Sequence, residues 1–185
     1  VEAPVQQYGG YVELSDMVVL TAIDNNLVIA AKQLGAQAGK TLDAITREVL
    51  AGGTNVQYAE GQVTPRSQLV GGTAEGNHYL TVDAVRRAVR TLKKQDAEPI
   101  GDSFIGIIHP DVAYDLMSDP KWVNVKSYSD PEGIYEGETG KIENVRFVET
   151  SEAKVFEGAG AEGRDVYATL ILGDNAYGTT EIEGG

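Results

Sequence analysis

The 185-residue sequence contains no cysteine and only two histidines, His78 and His109. The first absence excludes disulfide frameworks, thiolate zinc sites and cysteine nucleophiles, while leaving the redox compartment open. The second leaves little from which to build a metal centre, and no HxxxH, HExxH or DxDxDG spacing occurs. Positive charge is also scarce, with 15 Lys and Arg against 28 Asp and Glu and a formal net charge of −13. A surface of that sign repels phosphate backbones, so nucleic-acid binding through the general surface is excluded. The imbalance is uneven: residues 1–96 are nearly neutral and residues 97–185 carry almost the whole excess of carboxylate. No apolar run approaches the ~20 residues of a membrane span, and no signal-peptide pattern is present. The chain starts at Val1 rather than Met, which suits a processed product or a piece of something longer.

What is present suffices for a folded core. Hydrophobic residues make up 42% and charged residues 23%, ordinary for one domain or two small, closely joined ones. Residues 5–14, VQQYGGYVEL, read as an extended strand-like segment bent at Gly9-Gly10. From Ile23 the small or apolar positions recur as Leu27, Ala31, Leu34, Ala38, Leu42, Ile45 and Val49. Steps of three and four sustained this long predict one helix with a single buried seam. Asp24 or Asn25 is its candidate N-cap, and Gly52-Gly53 its stop. About 26 residues make a rod of roughly 40 Å.

Residues 54–79 predict one short strand, 56–59, and then a long Gly-rich loop of the kind that binds, moves or meets a neighbouring subunit. That loop lacks the GxxxxGK[ST] pattern of a phosphate cradle. LTVDAVRRAVRTLKK, 80–94, is an amphipathic helix capped by Thr81, with Val82, Val85, Val89 and Leu92 on one face. Its basic strip is the only candidate for phosphate contact, and ion pairing with the acidic remainder of the chain explains it better. FIGII, 104–108, is almost wholly apolar and reads as a central strand. Residues 124–141 read as a turn-rich loop and 145–148 as a strand. VYATLIL, 166–172, reads as an interior strand, with a last extended segment over 176–182.

IIHPDVAYDLMSDPKW, 107–122, has the look of chemistry: a histidine with Asp111, Asp115 and Asp119 at four-residue intervals. A catalytic histidine needs a buried acid and an activated nucleophile, and no GxSxG elbow or adjacent Ser or Thr motif exists. The simpler reading is a strand-to-helix junction, with Pro110 at the first helical position, His109 at the cap, and Asp119-Pro120 as the stop. Val112 and Leu116 face inward, and the three aspartates are expected to face water. No catalytic residue, cofactor or metal ligand is assigned. A small hydrolase built on His109 with Asp111 or Asp115 is the enzyme alternative.

Six ordered blocks carry a resemblance that no single one could: QYGGYVELSD (7–16), LGAQAGKTLDAITREVLAGGTNVQYA (34–59), LTVDAVRRAVRTLKK (80–94), IIHPDVAYDLMSDPKWV (107–123), GKIENVRFVETSEAKVF (140–156) and VYATLILGDNAYG (166–178). Together they resemble the tailed-bacteriophage major capsid proteins of the Hong Kong 97 type, in particular the capsid family labelled after coliphage N-four. The resemblance implies an α+β fold. Residues 1–15 would end the extended loop, 16–56 would form the peripheral domain with its spine helix, and 57–185 the mixed-sheet axial domain. Against the family's pattern the chain lacks the N-terminal arm, the outgoing half of the extended loop and the last peripheral-domain strands. The implied function is structural and non-enzymatic: self-assembly into pentamers and hexamers of an icosahedral shell that encloses DNA. The implied partners are further copies of the chain and possible scaffolding, portal and decoration proteins, with no membrane and no sequence-specific nucleic acid. The implied location is the virion, after assembly in the bacterial host cytoplasm. Candidate subunit contacts are Tyr8, Tyr11, Arg66, Tyr128 and Tyr135, beside the spine-helix seam of Leu27, Leu34, Leu42, Ile45 and Val49. A bacterial nanocompartment shell protein shares the fold class and is the nearer alternative.

Overall fold

The structure is a computed structural model that describes residues 6–21, 25–59, 65–71, 78–122 and 138–179. The chain divides into two compact units, Val1–Val49 with Thr179–Gly185, and Leu50–Gly178.

In the first unit a short helix, α1 (Asp16–Thr21), precedes the long helix α2 (Asn26–Ala51). Asn25 caps α2, its Oδ1 accepting from the Val28 amide at 3.4 Å, and the helix ends one residue before Gly52-Gly53. The predicted single buried seam is corrected. Leu34 and Ile45 are half-buried, but Leu27, Leu42 and Val49 are 66%, 63% and 71% exposed. At 3.6 residues per turn the apolar face is wider than one seam. The edge bearing Ala30, Leu34, Thr41 and Ile45 is at least half covered, while the edge bearing Leu27, Ala31, Ala38, Leu42 and Val49, with only Leu34 and Ile45 near the boundary, lies roughly 60° further round the axis. The segment before α1, expected as a strand, joins no ladder among the described residues; Tyr8 donates instead to the Gln6 side chain.

The second unit holds a mixed sheet and two helices. Its strands are β1 (Phe104–Ile108), β2 (Glu138–Ile142), β3 (Val145–Glu149), β4 (Val155–Phe156), β5 (Val166–Tyr167) and β6 (Leu170–Leu172). Four of them order as β2-β3-β1-β6, with β1 parallel to β3 and the other two pairs antiparallel. β1 is therefore central, as its apolar run predicts. Helix α3 (Val82–Lys94) starts at Thr81, whose hydroxyl accepts from the Ala84 amide at 3.2 Å. Helix α4 (Pro110–Met117) leaves the end of β1. One apolar cluster joins them: Val82, Val85 and Val89 of α3, Phe104 and Ile108 of β1, Val112 and Leu116 of α4, then Trp122, Val145 and Phe147. Each large side chain fully buried in this way contributes about 1.5–3 kcal/mol.

Close approach sets one residue in the sheet. Gly106 pairs with Phe147 across the parallel ladder, and a Cβ at position 106 would stand 2.5 Å from the Phe147 Cδ1. Glycine is needed there for space, not for backbone angle.

Several expected elements differ. Residues 56–59 form no strand, because this segment runs beside α3 on side-chain bonds. The Gln57 amide donates to the Ala84 carbonyl at 2.9 Å, and the Asn55 amide to Gln95 Oε1 at 3.1 Å. The loop expected over 124–141 ends in strand β2, which a two-residue turn joins to β3. The turn residues Glu143 and Asn144 both have positive φ, 47° and 70°. The single strand expected over 166–172 is two, because the Ala168 amide turns aside to the Lys154 carbonyl at 2.9 Å. β5 then pairs with β4, and β6 is an edge strand of the larger sheet, half-buried rather than interior. Residues 176–179 form no strand, and 180–182 lie outside the described residues.

Candidate functional site

Three places qualify for function: the junction after β1, a cleft in the second unit, and the exposed face of the first. At the junction His109 caps α4, with Nδ1 accepting from the Asp111 amide at 3.2 Å. Its ring lies 4.9 Å from the Tyr167 ring, tilted by 50°. The Tyr167 hydroxyl donates to Asp111 Oδ2 at 3.0 Å, and that same oxygen is 3.3 Å from His109 Nδ1. An imidazole at this cap accepts the amide, as Ser or Asp would, and also presents a ring face to Tyr167, which they could not. His109 thus serves the junction: Nδ1 faces the amide and the carboxylate of Asp111, and the ring face packs on Tyr167. The hydrogen bond to Asp111 pushes the Tyr167 phenol above its ordinary pKa, with burial adding to the effect.

The three aspartates have separate duties; the expectation that water is their neighbour holds for Asp111, 66% exposed, and is corrected for Asp115 and Asp119, which are half-buried. Asp111 accepts from Tyr167. Asp115 lines the cleft, and burial followed by the charge of Asp111 raises its pKa. Asp119 joins two helices: Oδ2 accepts from the Val82 amide at 3.0 Å, and Oδ1 from the Lys121 amide at 2.8 Å. The first of these satisfies an N–H that no turn of α3 can reach.

The basic strip of α3 is partly neutralised within the chain. Arg86 bonds Glu143 at 2.6 Å, and Asp83 takes Lys121 and Arg86. The hydrogen bond from Lys121 leads the causes that hold the Asp83 pKa below its ordinary value.

The cleft, about 390 Å³, is walled by residues of the second unit, including Arg66, His78, Tyr79, Leu80, Asp115 and Phe156. His78, expected in an uncommitted loop, is held there, its Nδ1 accepting from the Val70 amide at 2.8 Å. Arg66 opens the 3-10 turn Arg66–Gln68, and its guanidinium carbon stands 3.6 Å above the Phe156 ring centre. Sequence reasoning singled out Arg66 but missed Phe156, ninety residues on, because stacking across the fold has no spacing to read.

In the first unit Tyr8 and Tyr11 are exposed, Tyr11 by 82%, and so are Met17 and Leu20 beside the free edge of α2 residues. Tyr8 and Tyr11 thus belong to one unit and Arg66 to the other. Tyr128 and Tyr135 lie outside the described residues. Among the described residues no cluster of metal-ligating side chains occurs, and no helix is long and apolar enough to cross a membrane.

The described residues are α+β, with a long apolar-edged helix in one unit and a mixed sheet in the other. The chain matches the phage capsid protein family over residues 1–183, and it belongs to that family. Its fold is similar to that of the capsid of Ralstonia phage GP4, with a TM-score of 0.57 at 16% identity over 90% of this chain. That match spans 55% of the phage GP4 chain, so the present chain corresponds to about half its length. No curated protein matches the sequence significantly. The family identifies a phage capsid protein, and the fold has the α+β architecture expected of the Hong Kong 97 type.

Proposed function

We propose that the chain serves as a subunit of an icosahedral phage capsid, associating into pentamers and hexamers that enclose the DNA genome, in virions assembled in the host cytoplasm. The observation that supports this best is the apolar surface of the first unit. Leu27, Leu42 and Val49 form an exposed edge on α2, and Tyr11 and Leu20 are 82% and 80% exposed. A chain that works alone seldom leaves so many large apolar groups in water, whereas a subunit buries them at its contacts. In this reading residues 1–15 and 16–56 supply the extended-loop end and peripheral domain, 57–185 the axial domain. Tyr8, Tyr11, Arg66, Tyr128 and Tyr135 then contribute to contacts between copies. The family match favours a phage shell over a bacterial nanocompartment.

The test uses the complete capsid protein that contains this chain. Leu42→Glu and Val49→Glu replace exposed groups, so they should move subunit stability by no more than about 0.5 kcal/mol. They should nevertheless abolish shells seen by electron microscopy and sedimentation. Normal shells from both variants, or a wild-type protein that stays monomeric under assembly conditions, would count against the proposal.

A further inference from the structure

Arg66 is half-buried, and its guanidinium carbon stands 3.6 Å above the Phe156 ring centre. A guanidinium stacked on a ring keeps its N–H edge for an oxyanion, which it can hold through two parallel bonds. Among the described residues nothing accepts from that edge: Arg66 makes no hydrogen bond and no ion pair. Two nearby cations are engaged otherwise, Arg164 with Glu162 at 3.3 Å and Lys154 over the same Phe156 ring at 5.2 Å. Among the described residues this arginine is held in place without a counter-ion, in a chain with 28 Asp and Glu.

The space beside it suits a ligand. The cleft of about 390 Å³ is walled on this side by Arg66, Phe156, His78, Tyr79 and Leu80. His78 accepts the Val70 amide at Nδ1, so its neutral ring keeps a proton on Nε2, a second donor on the wall. Asp165, which also lines the cleft, is occupied by the Gly158 amide at 2.7 Å. The wall thus carries Arg66 and His78 as donors, with Asp115 also on it and aromatic and aliphatic surface around them to limit water.

We propose that the Arg66–Phe156 stack is a receptor for a carboxylate side chain presented by a second copy of this chain. The proposal rests on the capsid-subunit reading, which supplies that second copy. Charge complementarity chooses the occupant. At a net charge of −13 every neighbouring copy offers carboxylates in excess, while the same acidity keeps nucleic-acid phosphates at a distance.

The experiment compares the complete wild-type capsid protein with Arg66→Lys and Arg66→Ala. It measures the threshold concentration for shell formation by sedimentation, the melting of the dissociated subunit, and the DNA retained by shells. Lysine keeps the charge but loses the planar fork and the stack. Both variants should therefore raise the threshold about tenfold or more, as expected when one partner of a desolvated pair is removed, with subunit melting unchanged. Thresholds within about twofold of wild type would overturn the proposal while leaving the capsid reading intact. Lowered subunit melting with an unchanged threshold would assign Arg66 to an acid of its own chain, and normal shells that lose DNA would assign it to phosphate; each overturns it. A wild-type protein that never assembles would remove both readings together.

Discussion

Replacing Gly106 by alanine tests the packing of the sheet most directly. The new methyl would meet Phe147 Cδ1 at 2.5 Å, Phe147 Cε1 at 2.7 Å and Val145 Cγ1 at 2.9 Å. Carbon atoms rest at about 3.5–4.0 Å, so the ring must retreat by about 1 Å. It has nowhere to go, since Phe147 and Val145 are both 0% exposed. Overpacking of this severity falls at the upper end of its usual range, about 3 kcal/mol. Removing a strand glycine returns roughly 0.5–1 kcal/mol of backbone entropy. A net loss of ~2 kcal/mol remains, which at a urea dependence of about 1–3 kcal/mol per molar lowers the unfolding midpoint by roughly 1 M. The second measurement is the same substitution in a Phe147→Leu background, where a smaller side chain lets the methyl in. Its cost should fall to about half or less if the two residues are coupled by this contact. A midpoint shift under about 0.2 M, or an equal cost in both backgrounds, would show that the ring and the glycine do not meet as described.

Two further substitutions probe the junction. Asp119→Ala removes the acceptor of both the Val82 and Lys121 amides, and should cost about 1–2 kcal/mol in urea unfolding, the range of a lost helix cap. Asp115→Asn should stabilise the chain at neutral pH. Its folded pKa is raised by burial and by Asp111, so the stability linked to its proton is complete below 3.8 and disappears as pH rises through the folded value. The gain from the neutral amide should therefore be present at pH 7 and vanish in a titration taken below 3.8.

Where the sequence was readable, local rules and tertiary packing agreed. The Thr81 cap with valines at three- and four-residue spacing defines α3, and His109-Pro110 after an apolar run gives the β1–α4 junction. The unread parts depended on partners far along the chain. Glu143-Asn144 lacks the Asn-Gly signature of a two-residue hairpin, so strand β2 was hidden inside what looked like loop. VYATLIL satisfies any apolar-strand rule, yet the Lys154 carbonyl draws the Ala168 amide away and divides it. Periodicity put the α2 seam on the apolar side of the helix but not on its covered edge, because it reports which face is apolar and not what covers it. Arg66 drew notice only as a candidate subunit contact; its place over Phe156 is a contact that chain order cannot display.

Asp119 also sets an order of events during synthesis. The Val82 amide waits for an oxygen 37 residues further along the chain. At the usual pace of translation, about 5–20 residues per second, that oxygen is made roughly 2–7 s after the amide it satisfies. Until then the start of α3 has only the Thr81 cap, and Phe104 and Leu116, against which its valine face packs, are made within the same interval. The helix is thus the earliest piece of its core to be synthesised and is secured only by pieces that follow it.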